Sequence, residues 1–326
     1  MGSLDGYLQA LSLVAILILA PMTIHLVIHK DENTVFVYVD SSDDSEDKDS
    51  DRLDNETIAR EIPELNRSEV ARIATFNIKV FGETKMGKPE VVSVLVDTVL
   101  QYDMVSVQEI RDIDQTVPYD FLEQINNRSN NTWDMLLSER SGQQEDDTSY
   151  QEQYAFYYNT TVFSPINGSL YNDSEFDLFQ KEPYIGSFEM LNESGNNSGF
   201  NFTLINIHTK PAIAMEEINA LHTVVQDYQQ QNPNEPDIVV LGDYNADCSY
   251  ASSEELWQSP MRNSNYTWLV PDSADTTVAS SECAYDRIVT TGDLSGRLVG
   301  SWGIDYTSFN SSNVSDHYPV WFDLYR

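Results

Sequence analysis

The chain passes through three regimes of apolar and polar residues. From Tyr7 to Ile28 there are 22 residues with no Asp, Glu, Lys or Arg, and as a helix they match the roughly 20 residues needed to cross a bilayer core. Residues 1–30 therefore read as an uncleaved membrane anchor. A cleaved signal peptide is the rival reading, but the segment has no basic leading region, and the small residue Ala20 has Ile18 two positions before it and Pro21 next, a poor cleavage pattern. Residues 40–51, DSSDDSEDKDSD, then place seven carboxylates in twelve positions with no large apolar residue. Such a run buries too little surface to offset the entropy of ordering, so residues 31–68 read as an acidic, solvated stalk.

Residues 69–326 change character. ARIATFNIKV and MVSVQEI have the apolar density of buried strands, and PEVVSVLVDTVLQY between them carries apolar residues at helical spacing behind a proline suited to a helix start. YDFLEQINN and AMEEINALHTVVQDYQQQ repeat the helical pattern. WDMLLSE, YAFYY, FTLINIH, DIVVLGD, AYDRIVTT, RLVGSWG and HYPVWFDLY read as further strands. Strands outnumber helices, and there is no Walker loop or G-x-G-x-x-G. The order predicts an α/β sandwich of sheets flanked by helices, not a doubly wound nucleotide-binding sheet.

Composition adds the compartment. Thirteen of the 24 asparagines head an N-x-S/T triplet, where about four would arise by chance, so the bulk of the chain reads as luminal or extracellular. An oxidising compartment permits one bridge between the only cysteines, Cys248 and Cys283; two buried thiols are the alternative. The formal charge of −35 opposes a polyanionic partner and makes any such binding weak, salt-sensitive and favoured by divalent cations. Nothing points beyond a monomer.

Candidate chemistry collects where apolar runs stop. Asn77, Glu109, Glu152, His208, Asp243, Asn245, Asp286, Asp316 and His317 each border or interrupt such a run, the position from which a rigid strand presents chemistry at its rim. Of the five histidines, two lie in or beside the anchor and His222 lies within the amphipathic helix, which leaves His208 and His317. Phosphodiester hydrolysis accounts for the whole set. It needs a base for the attacking water, an acid for the leaving oxygen, and a metal or fixed donors for the phosphoryl oxygens. Glu109 suits Mg²⁺, Asn77 and Asn245 can donate to phosphate, and a carboxylate behind each histidine would set its tautomer.

The ordered series TFNIKVFGETKM, YDMVSVQEIRD, IHTKPAIAMEEI, VVLGDYNADCSY, PDSADTT with CAYDRIV, and SDHYPV resembles the deoxyribonuclease I family within the endonuclease/exonuclease/phosphatase superfamily, from about Arg72 to the C-terminus. The resemblance implies a four-layered α/β sandwich of two mainly antiparallel sheets. It also implies a metal-dependent endonuclease that nicks double-stranded DNA to leave 5′-phosphates. His208 would pair with Glu152 and His317 with Asp286. Glu109, Asp243, Asn245 and Asp316 would serve Mg²⁺ and the phosphate together with Asn77. Structural Ca²⁺ would bind at Asp275 and Thr277, and at Asp177, Phe179 and Glu182 with Asp173 nearby. Cys248 would bridge to Cys283. Lys79, Arg111, Tyr150 and Lys181 match positions near DNA. Gln151 and Gln153 stand where the family often has basic residues, and Ala279 and Ser281 replace threonines of the Ca²⁺ loop. A lipid- or nucleotide-directed phosphoesterase of the same superfamily, and a catalytically silent homologue, are the alternatives.

Overall fold

Twelve strands form two six-stranded sheets in the computed structural model, which describes residues 66, 68–130, 132–142 and 150–326. The proposed anchor, most of the stalk and residues 143–149 lie outside the described residues. Among the described residues no helix is long and apolar enough to cross a membrane.

The first half of the chain runs β1 (Val70–Phe81), α1 (Glu83–Met86), α2 (Pro89–Val99), β2 (Met104–Ile110), α3 (Val117–Ser129), β3 (Trp133–Leu137) and β4 (Gln153–Asn159). β5 (Phe163–Leu170), β6 (Tyr184–Leu191), β7 (Asn197–His208), α4 (Ala214–Gln231) and β8 (Ile238–Asp243) follow. The chain ends with α5 (Ser253–Trp257), β9 (Tyr266–Trp268), β10 (Asp286–Thr291), β11 (Leu298–Ile304) and β12 (Val320–Tyr325). One sheet has the order β11-β12-β1-β2-β4-β3 and the other β5-β6-β7-β8-β10-β9.

Each sheet is mixed. Its only parallel pair lies at the centre, β1 with β2 and β7 with β8, and every other pairing is antiparallel. Parallel neighbours need a crossover, supplied in the first sheet by α2, whose Val91, Val92, Leu95, Val96 and Val99 form one buried stripe. In the second sheet α4 does the same with Ile218, Leu221, Val224 and Val225. Three apolar cores result. One, with Phe156, Phe188, Phe202, Leu241 and Phe322, lies between the sheets. A second joins the first sheet to α2 and α3, and a third joins the second sheet to α4. The layers are therefore helix, sheet, sheet, helix.

The β5–β6 hairpin and the short β9 were not visible in the apolar pattern. β5 contains Pro165 and five consecutive exposed residues from Pro165 to Ser169, as expected of an edge strand and not of a buried run.

Candidate active site

The C-terminal ends of both central parallel pairs open at the same rim. β1 delivers Asn77, β2 delivers Glu109, β7 ends on His208 and β8 ends on Asp243. Antiparallel neighbours bring their first residues to the same place: Asp286 opens β10 opposite Asp243, Glu152 immediately precedes β4, and Asp316 and His317 precede β12. Strand polarity thus gathers residues that are far apart in the chain.

Local backbone geometry aims them. Pairing of β1 with β2 shifts register between Asn77 and Phe81, and Glu109 adopts a left-handed backbone with φ 61°, a conformation that costs a non-glycine residue free energy and clusters at functional sites. The Glu109 carboxylate then accepts from Val80 N at 2.9 Å and from Asn77 Nδ2 at 3.1 Å. Gly242 has φ 143°, and a Cβ there would stand 2.0 Å from the Ile207 carbonyl oxygen. Only glycine allows β8 to hold Asp243 this close to β7.

Asp243 is the centre of the site. Its Oδ2 accepts from Asn77 Nδ2 at 2.9 Å, and Oδ1 accepts from Asn245 N at 3.0 Å. His208 Nε2 and His317 Nε2 each lie 3.6 Å from Asp243 Oδ2. Behind the rings, His208 Nδ1 meets Glu152 Oε2 at 2.8 Å and His317 Nδ1 meets Asp286 Oδ2 at 2.8 Å. Both couples cross between sheets: Glu152 and His317 belong to the first, His208 and Asp286 to the second.

The charges act together. Burial resists protonation of His317, but Asp286 and Asp243 outweigh it and lift the ring to about 10. Burial and Lys181 oppose protonation of His208, and Glu152 and Asp243 still raise it above its ordinary value. Burial also opposes ionisation of Asp243 and Glu152. The two histidines hold Asp243 below its usual range, and His208, Lys181 and Arg111 hold Glu152 low.

Asp243, Asp286 and His317 each place one ligand atom within 4.8 Å of the others. Because Asp286 is already on His317 Nδ1, that triad is better explained as an acid-base couple beside a carboxylate. The donor set of Glu109 and Asp243 fits a divalent cation better. Both are hard oxygen ligands, linked through the Asn77 amide, and the buried Asn77 Oδ1 lacks a protein partner.

Other expected residues are placed as follows. Asp316 turns to Lys79 Nζ, and Asn245 Nδ2 donates to the Thr209 carbonyl at 3.0 Å. Arg111 donates to Glu152 Oε1 at 2.8 and 3.0 Å. Lys79 and Tyr150 are exposed. Lys181, expected near DNA, is buried, with Nζ 3.3 Å from Glu152 Oε2. Its charge is drawn inward because Glu152 has no solvent to balance it. Asp275 Oδ1 accepts from Thr277 N, Thr277 Oγ1 and Cys283 N. At the second expected Ca²⁺ position, Phe179 is buried with its N–H donating to Asp173, Asp177 has φ 51°, and Glu182 accepts from Ser141. Cys248 and Cys283 are bridged, tying the loop after β8 to the segment before β10.

Sequence reasoning passed over Thr276, whose Oγ1 accepts from the Tyr285 and Asp286 amides, and Ser315, whose Oγ donates to the Asn77 carbonyl. It also passed over Lys85, buried on α1 and donating to the carbonyls of Lys79 and Val314. All three lay within quoted motifs, but burial of a lysine left no trace in the pattern.

Comparison with known proteins agrees with this geometry. Residues 74–317 match the Endonuclease/Exonuclease/phosphatase family. Deoxyribonuclease-1 of Bos taurus is 37% identical over 264 residues, covering 76% of this chain and 90% of the relative. The chain belongs to the deoxyribonuclease I family. Within this family, Deoxyribonuclease-1 of Homo sapiens is 36% identical over 267 residues, with 76% and 90% covered, and Deoxyribonuclease-1-like 2 of Mus musculus is 34% identical over 259 residues, with 76% and 90% covered. An endonuclease/exonuclease/phosphatase family protein from Leptotrichia buccalis shares the fold with a TM-score of 0.55 at 15% identity, covering 78% of this chain and 99% of that one. Family membership identifies a phosphodiester-cleaving enzyme, and the oxygen donors of the site support the use of a divalent metal.

Proposed function

We propose that this deoxyribonuclease I family member is an endonuclease that hydrolyses double-stranded DNA to leave 5′-phosphates. It is held in the secretory pathway by residues 1–30, with residues 31–68 as a spacer and residues 69–326 as the luminal or extracellular catalytic domain. The observation that carries the mechanism is the pair of Nε2 atoms 3.6 Å from one oxygen of Asp243, each backed by a carboxylate on Nδ1. A scissile phosphate seated over Asp243 has an imidazole on either side. The unprotonated ring takes the proton of the attacking water at Nε2, and the protonated ring gives its proton from Nε2 to the leaving oxygen. Glu152 and Asp286 fix the ring orientation and stabilise each imidazolium as it forms.

Glu109 and Asp243 would hold Mg²⁺, with Asp316 and Asn245 completing the metal and phosphate site. When bound, the ion offsets negative charge on the phosphoryl oxygens. Asn77 orients both carboxylates and needs no charge of its own. Lys79, Arg111 and Tyr150 supply DNA contacts at the rim, and Ca²⁺ at the Asp275–Thr277 and Asp177–Glu182 loops stabilises the folded state by binding only to it.

The test is nicking of supercoiled plasmid by residues 31–326 with Mg²⁺ and Ca²⁺, against EDTA. Both H208A and E109A are expected to abolish metal-dependent nicking. No nicking by folded, disulfide-bonded, metal-loaded protein overturns the DNA reading and directs attention to phospholipid and nucleotide substrates.

A further inference from the structure

Strand polarity divides the surface of the sandwich into a rim, where β1, β2, β7 and β8 finish, and a base, where they begin. The N-x-S/T asparagines are sorted by this division. Asn66 precedes β1. Asn127 and Asn130 occupy the last turn and the cap of α3, beside the first residue of β3, which pairs with Asn159 at the far end of β4 from Glu152. Asn192 and Asn196 lie in the β6–β7 turn. Asn201, on β7, pairs with Glu189 of β6 and lies about 23 Å from His208 at the usual strand rise. Asn265 precedes β9, whose Tyr266 pairs with the last residue of β10. All eight lie toward the base. Asn167 is midway along the edge strand, opposite Ser187, and Asn172, Asn310 and Asn313 lie on rim-side loops.

Several segments of the base are tied directly to one another. Thr160 N donates to the Thr132 carbonyl, Leu191 N to Val162 and Arg326 N to Glu69, each at 2.8 Å. Arg326 Nη2 reaches the Leu191 carbonyl at 3.1 Å. Exposure is consistent with modification. None of the triplet asparagines among the described residues is buried, whereas the buried asparagines are Asn77, Asn206 and Asn245, none of which heads a triplet.

We infer that the base is a glycan-bearing face, N-glycosylated at these asparagines, and that Asn313, three residues before Asp316, stays bare so that substrate meets an open rim. The inference rests on the secretory reading above, which the Cys248–Cys283 bridge independently favours. In the modification, Asn Nδ2 bonds to the anomeric carbon of an oligosaccharide carried on a polyprenyl diphosphate. The carbon–oxygen bond to the carrier breaks, the diphosphate leaves with the bonding pair, and one amide proton is released. Bulky sugars are accommodated only where the folded asparagine faces solvent.

Expression of the full chain in glycosylating cells, followed by amidase release in ¹⁸O water and peptide mass spectrometry, tests it. Each released glycan leaves a labelled aspartate. Label at Asn66, Asn127 or Asn130, Asn159, the Asn192–Asn201 region and Asn265, with none at Asn313, is the expected map. Unlabelled base asparagines, or label at Asn313 matching the base, overturn the inference, and this readout does not depend on nuclease activity. A second arm uses D114N, which turns the exposed rim triplet Asp114-Gln115-Thr116 into an acceptor. Amidase treatment restores aspartate there. Glycosylated D114N is expected to nick plasmid about tenfold or more slowly than after treatment, the size of one lost anchoring contact, while wild type is unchanged by treatment. Equal loss in both would mean that base glycans reach the site, against the inference.

Discussion

Changing Glu152 to glutamine strips the charge from a fully enclosed carboxylate of the site while keeping its shape. Glu152 has 0% exposure and accepts from His208 at 2.8 Å and Arg111 at 2.8 Å, with Lys181 Nζ at 3.3 Å. In E152Q, Lys181 and Arg111 face a neutral amide. Removing one partner of a buried ion pair costs about 3–5 kcal/mol, and the partial exposure of Arg111 places the loss toward the lower figure. At roughly 2–4 °C per kcal/mol for a domain of this size, the melting temperature should fall by roughly 6–15 °C.

Titration of His208 separates the electrostatic cause from general damage. Burial and Lys181 already oppose protonation of this ring, and Glu152 is the first of the groups that reverse them. Without it the favourable side keeps only the more distant carboxylates at Nε2, Asp243 at 3.6 Å and Glu109 at 4.0 Å, so the pKa of His208 should drop. Nicking should fall by about 10²–10⁴, the usual contribution of a positioned acid or base. The assay is ¹H NMR titration of the imidazole Cε1 protons in metal-free protein, assigned with H208N, alongside nicking rates across pH. His208 titrating at or above its wild-type pH in folded E152Q would refute the charge balance described for this couple.

The His317 couple gives a stability signature of defined sign. Its folded pKa, about 10, lies above the ordinary 6.5. Its contribution is therefore fully present below about pH 6.5 and lost as pH rises through 10. Urea unfolding of metal-free wild type and H317N over this window should show a gap that closes with rising pH. The Cys248–Cys283 bridge spans 35 residues; C248S/C283S should lose about 4 kcal/mol of chain-entropy stabilisation and roughly 8–15 °C in calorimetric melting temperature. An unchanged melting temperature would mean that the loop is held by its other contacts. G242A places a Cβ against the Ile207 carbonyl at positive φ and should cost about 3 kcal/mol or more, measurable as a lowered urea midpoint.

Much of this arrangement was legible in the sequence because buried strands and helices announce themselves by apolar density and spacing. The long α4 falls on the amphipathic stretch AMEEINALHTVVQDYQQQ. Both site histidines were found by elimination, and the structure places them beside the acids expected for them. Features governed by partners distant in sequence were less legible. β5 looks polar because only its neighbour β6 supplies the pairing. Lys181 reads as a surface base until Glu152, far away in the chain, is seen to draw it inward. The left-handed backbone of Glu109 has no residue signature at all, because the register of β1 against β2, and not a glycine, imposes it.

The cross-sheet pairing of the couples explains why such expensive groups are buried. His208 with Glu152, His317 with Asp286, and Asn77 with Asp243 each join a residue of one sheet to a residue of the other. Below them Gln108 Nε2 donates to Asn206 Oδ1 across the same interface. Buried ion pairs are weak sources of net stability once desolvation is counted, and the apolar core between the sheets supplies the non-directional attraction that holds the layers together. That attraction tolerates small sliding of one sheet over the other, whereas hydrogen bonds at 2.8–2.9 Å do not. The polar couples therefore set the register in which the sheets meet. A slide of even an ångström would move His208 relative to His317, and the two Nε2 atoms would no longer share the Asp243 oxygen between them. The same bonds that orient the acid and the base thus fix the distance between them.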